Sequence, residues 1–132
     1  MAAQAKGTFT VLSWDENTYQ DLDGGAKLTR ARVTFGFSGD LEAEGGWEAL
    51  MCYRDDGTAV FTGLQRTVGR LGGREGSFVL RADGAFENGE ARTSWQVIPG
   101  SATGDLRGLA GAGSALSTGG SGGTFGLDYE LA

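Results

Sequence analysis

The chain has 132 residues, a net charge of −6, 25 glycines, one proline, one cysteine and no histidine. That length suits one domain, 1–132, with room for a single core, and a hydrophobic content of 39% excludes an all-polar disordered chain. Without histidine there is no Ser-His-Asp or Cys-His nucleophile and no imidazole base; a lone cysteine also removes the usual zinc sites and any internal disulfide.

The expectation is therefore a protein with no metal and no cofactor. Acidic residues gather at 15–16, 21–23, 40–44 and 55–56, without the EF-hand spacing, and read as solvated loops. No basic run tracks phosphates, so neither nucleic acid nor an anionic membrane is an expected partner. Residues 1–9 hold no apolar leader, and no stretch approaches the ~20 apolar residues of a spanning helix. A cytoplasmic location is the expectation.

Almost nothing reads as helix, and period-two alternation recurs between turn residues. Residues 6–14 form a strand with Phe9, Val11 and Ser13 on one face, followed by an acidic loop ending in Asp23-Gly24-Gly25. Residues 27–39 place Ala31, Val33, Phe35 and Phe37 opposite Arg30, Arg32, Thr34 and Ser38, the pattern of a sheet with one buried face. Trp47, Ala49, Met51 and Tyr53 continue the apolar face on the next strand, and Asp55-Asp56-Gly57 closes a hairpin.

Residues 58–70 are apolar on both sides. Phe61, Gly63, Gln65 and Thr67 share one face, and Val60, Thr62, Leu64 and Val68 share the other. An outer stripe of Val60, Leu64 and Val68 predicts a homo-oligomer. Further on, Phe78 and Leu80 point inward and Arg81 outward. Asp83-Gly84 and Asn88-Gly89 both read as turns. Thr93, Trp95 and Val97 then face inward until Pro99-Gly100, and Phe125, Leu127 and Tyr129 line the last strand. The glycine-rich stretch 100–123 has room for one more irregular strand.

Seven or eight strands joined by short turns predict an all-β fold: a small antiparallel up-and-down β-barrel, with a β-sandwich as the alternative. The run Gly100-Ser101-Ala102-Thr103-Gly104-Asp105 is not a phosphate loop. It lacks the Gly-Lys-Ser/Thr ending, and no helix follows.

Three blocks carry a resemblance: 58–66 (TAVFTGLQR), 71–80 (LGGREGSFVL) and 95–106 (WQVIPGSATGDL). They resemble the signature of a bacterial family of small uncharacterised proteins in the allene-oxide-cyclase-like β-barrel superfamily, over about residue 7 to the C-terminus. The resemblance implies an eight-stranded antiparallel barrel. Its plant relatives, the allene oxide cyclases and dirigent proteins, steer the cyclisation or coupling of reactive apolar intermediates. The chain departs from the family pattern at Gln65, where Glu is common, and at Ala82, where His is common. No catalytic residue is carried over.

The inward face itself offers Ser13, Tyr53, Gln65, Thr93 and Tyr129 among Trp47, Trp95, Phe35, Phe37, Phe61 and Phe78. A neutral aromatic wall with a few polar groups is how small-molecule sites are built. The candidate ligand-binding residues are Tyr53, Gln65, Trp95, Tyr129, Trp47, Thr93 and Phe35. The expected function is binding of a small apolar or aromatic molecule. The alternatives are a cofactor-free cyclase or isomerase that shapes a reactive apolar intermediate, and a structural or assembly module with a filled core.

Overall fold

The computed structural model describes residues 2–131, which form nine strands and one single-turn 3-10 helix. The strands are β1 (Ala2–Asp21), β2 (Lys27–Gly39), β3 (Leu41–Tyr53), β4 (Ala59–Leu71), β5 (Arg74–Glu87), β6 (Glu90–Val97), β7 (Thr103–Gly104), β8 (Ala110–Ser117) and β9 (Gly122–Glu130). From β1 to β6 each strand pairs antiparallel with the next; β8 takes the far edge of β6, and β9 joins β8 to β1. The result is a closed eight-stranded up-and-down barrel, not a sandwich. The two-residue β7 extends the β6 side of β5. No helix among the described residues is long and apolar enough to cross a membrane.

Closure is staggered. Pairs followed around the barrel run Asp15, Arg32, Glu48, Leu64, Arg81, Gln96, Ala112 and Asp128, and return to β1 at Gln4. Tilted strands require such a displacement. It explains why β1 is 20 residues long. Residues 2–6 pair with β9 alone, 7–10 lie between β9 and β2, and 11–21 pair with β2 alone and overhang one end of the barrel. Asp15, Glu16 and Asp21 thus belong to a strand, and not to the acidic loop that their composition suggested.

A β-bulge at Leu12 shifts the register of β1, so that Val11 pairs with Phe35 and Ser13 with Thr34. One extra residue moves every later side chain to the opposite face. Ser13, expected inside, is exposed and hydrogen-bonds Thr34 Oγ1 on the outer surface at 2.5 Å. Trp14 and Glu16 take the inner parity instead, opposite Val33 and Ala31.

The two ends of the barrel differ. One is sealed by Leu41, Leu71, Leu80, Leu127 and Phe78, with Leu106 and Leu109 from the segment after β7 tucked beneath them. Pro99 has no N–H to continue the ladder, and side chains stitch this segment to β5 instead. Ser101 Oγ accepts from the Val79 N–H at 3.0 Å, and Thr103 Oγ1 accepts from the Ser77 N–H at 3.2 Å. The 100–123 stretch thus holds two strands, β7 and β8, rather than one.

Of the two turn signals near the end of β5, Asn88-Gly89 is a tight turn with φ of 53° and 76°, the type that matches strand twist. Asp83-Gly84 lies within β5. On the outside, Val60, Leu64 and Val68 form the apolar stripe read from the sequence, joined by Leu50.

Leu106→Ala is expected to cost about 2–5 kcal/mol, because Leu106 is fully buried in the sealed end. Leu64→Ala, at a position 54% exposed, is expected to stay within about 0.5 kcal/mol of the parent. Urea unfolding followed by circular dichroism measures both, and equal losses would contradict this division of inside from outside.

Candidate functional site

The other half of the barrel is not filled. A cavity of about 350 Å³ runs from the middle of the barrel to the end carrying the β3–β4, β5–β6 and β8–β9 turns, where Ala59, Gly89 and Gly120 mark its mouth. Its volume falls within the ~300–1,000 Å³ of small-molecule sites. Phe9, Phe35, Phe37, Trp47, Phe61 and Trp95 line it, and none of its lining residues is charged.

The aromatic side chains form a continuous belt. Phe61 meets Trp47 edge-on at 5.2 Å between ring centroids, Trp47 meets Phe35 at 6.5 Å, and Phe35 meets Phe37 at 6.1 Å. Phe37 in turn meets Trp95 edge-on at 5.7 Å, and Trp95 meets Phe125 at 5.7 Å. Each such contact adds about 0.5–1.5 kcal/mol beyond simple burial. A ring that turned to fill the cavity would give up one or two of them.

Trp47 is fixed by a defect in the barrel wall. The β4–β5 ladder pairs Phe61 with Gly84 and Leu64 with Arg81, and skips the two positions between. From inside, Trp47 Nε1 donates to the freed Ala82 carbonyl at 3.3 Å. From outside, the Asp83 carboxylate accepts from the Gly63 N–H at 3.3 Å and from Thr62 Oγ1 at 2.5 Å. The Thr62 hydrogen bond leads in holding the Asp83 carboxyl below its usual range.

Deep in the cavity, Gln65 is 2% exposed and its Nε2 donates to Thr67 Oγ1 at 3.2 Å. The amide fits because Gly45 on β3 has no side chain; a Cβ there would lie 2.9 Å from Gln65 Nε2 and 2.9 Å from Phe37 Cε2.

At the mouth, Tyr53 donates to Glu16 Oε2 at 2.7 Å, Thr29 donates to the same oxygen at 2.6 Å, and Trp14 Nε1 donates to Glu16 Oε1 at 2.9 Å. Burial alone would raise the Glu16 carboxyl. These three hydrogen bonds and the Lys27 charge outweigh it and hold Glu16 below the usual carboxylate range. Burial and the Glu16 carboxylate together push the Tyr53 phenol well above its usual range. Glu16 does not itself border the cavity; it positions Tyr53 and Trp14, which do.

Six of the seven candidate residues meet at this cavity: Phe35, Trp47, Tyr53, Gln65, Thr93 and Trp95. Tyr129 does not. It has the inner parity, but its hydroxyl lies by Gly72 in the β4–β5 turn, at the sealed end. Parity along a strand assigns a face, not a height in the barrel. Glu16, Trp14, Phe86 and Ser117 are among the contributors that sequence reasoning missed. Glycine often marks a bulge, and Leu12 offers no such sign. Among the described residues, no three Cys, Asp or Glu side chains come together to hold a metal ion.

The profile of the family described as "Protein of unknown function (DUF3224)" matches residues 5–129. Among solved structures, the chain is similar to a protein of unknown function from that family in Shewanella oneidensis MR-1. The two share 30% identity and a TM-score of 0.85, over 100% of this chain and 98% of the other. No curated protein matches the chain.

Glu16 contributes stability above the usual glutamate value of ~4.3, and that contribution is lost as pH falls through its own lowered pKa. The stability gap between the parent and Glu16→Gln should therefore be widest near neutrality and close below about pH 4. The same substitution should bring the Tyr53 phenol down towards the ordinary ~10. Urea midpoints against pH and an ultraviolet titration referenced to Tyr53→Phe check the two parts.

Proposed function

The chain belongs to the DUF3224 family, and we propose that it binds a small, neutral, apolar or aromatic molecule inside the barrel. The observation that carries this reading is the aromatic cavity of about 350 Å³, open at one end and sealed at the other. A filled-core module is disfavoured by the same observation. Interiors pack without voids much larger than a water molecule, whereas here the belt of rings stands around open space.

The second reading is a cofactor-free cyclase or isomerase, as the resemblance to allene-oxide-cyclase-like barrels implies. The rigid belt supports it, because holding a reactive substrate in one conformer can itself accelerate a reaction.

The test uses naphthalene as a neutral probe. Isothermal titration is expected to give a dissociation constant on the order of tens of micromolar. Ala115→Phe, which fills the cavity from β8, should weaken binding roughly tenfold or more with an unchanged circular dichroism spectrum. Absence of binding to the parent, together with no retained molecule in native mass spectrometry, would overturn the reading.

A further inference from the structure

We propose that the cavity selects ligands carrying a neutral carbonyl oxygen at their inner end, held by the N–H groups of Trp95 and Gln65. The proposal rests on the small-molecule reading above and specifies the ligand chemistry.

Trp95 is 4% exposed and borders the cavity. Its Nε1 makes no hydrogen bond among the described residues, yet none of their fully buried side-chain nitrogens or oxygens lacks a partner. The indole N–H is therefore reached from the cavity, the open space that Trp95 borders. The same reasoning applies to Gln65 Oε1, which has no partner among the described residues and is reached from the cavity. Gln65 Nε2 uses one hydrogen on Thr67 Oγ1. Turned over, the amide would accept from Thr67 and leave both N–H groups free. The turned-over amide, with the Thr67 hydroxyl donating to it, is the orientation that presents N–H to the cavity.

These groups share a neighbour. The Phe37 ring packs edge-on against Trp95, and Phe37 Cε2 and Gln65 Nε2 both border the space over Gly45. With the amide turned over, the cavity offers two N–H donors in an apolar, uncharged setting. A carbonyl oxygen has two lone pairs and no hydrogen that needs a partner of its own, so it can satisfy both. A hydrocarbon would cover the donors and leave them unpaired. A carboxylate would arrive with no arginine or lysine among the lining residues to receive it.

The experiment compares 2-acetylnaphthalene with 2-isopropenylnaphthalene, two planar molecules of the same shape in which C=O replaces C=CH2. Isothermal titration of the parent should favour the ketone roughly tenfold. The bound C=O stretch should shift to lower frequency than in hexane. Trp95→Phe keeps the ring and removes the N–H, and Gln65→Met keeps the length and removes the amide. Either should bring the two ligands near parity, chiefly by weakening the ketone. The Gln65 variant and the infrared shift decide the matter if the Trp95 variant does not fold. Equal affinities in the parent, or an unshifted C=O stretch, would overturn this proposal and leave the small-molecule reading standing. Failure of both compounds to bind would overturn the two together.

Discussion

An eight-stranded sheet closes only when its strands tilt, and tilt returns the ladder to its first strand displaced along it. The diameter then follows from strand number and stagger, whatever side chains stand inside. In this chain leucines and Phe78 fill the sealed end. At the other end the walls are aromatic rings braced against one another, and the backbone cannot close in to remove the space they leave. The cavity is thus a consequence of closure. The same stagger makes β1 overhang the mouth, which places Glu16 within reach of Tyr53 and Thr29 from neighbouring strands.

Polar groups are graded along the barrel axis. At the mouth a carboxylate is tolerated because three donors and a nearby lysine compensate its partial burial. In the middle, Trp47 Nε1 and the Asp83 carboxylate complete a gap in the ladder from its two sides. Deeper, only uncharged groups occur: an amide, an indole N–H and the Thr67 hydroxyl. A carboxylate at position 65 would sit almost fully buried with no cation among the cavity's residues, and would have to take up a proton to remain there. Glutamine keeps hydrogen-bonding capacity at that depth without a charge.

Much of this was legible in the sequence because one face of each strand is buried, and burial writes itself as alternation. Ala31, Val33 and Phe37 on β2, and Trp95 and Val97 on β6, are inside as their parity requires. The failures have two causes, the limits of alternation and the pull of composition. Alternation carries no information about a bulge until the register beyond it is seen, so it places Ser13 inside, whereas the structure puts it on the outer surface. Alternation carries none about height either, so it groups Tyr129 with residues at the opposite end. Composition misled at 15–21, where acidic side chains on an overhanging strand look like a loop. Glycine content at 100–123 suggests one irregular strand, where the chain forms two, β7 and β8.

The run 95–106 has a physical explanation that bears on what the family resemblance can mean. A barrel strand crosses from the cavity to the base, so contiguous residues serve successive heights. Trp95 walls the cavity, and Val97 packs below it. Pro99 and Gly100 interrupt the ladder, Ser101 and Thr103 tie the chain back to β5, and Leu106 seals the base. Most of that run builds closure, and only Trp95 borders the cavity. Likeness in this block is therefore evidence for the barrel much more than for a shared ligand. The polar side chains of the cavity come from positions that no single motif contains together: Tyr53 on β3, Gln65 on β4, Thr93 on β6 and Ser117 on β8. Each is a neighbour of the others only after the sheet has closed.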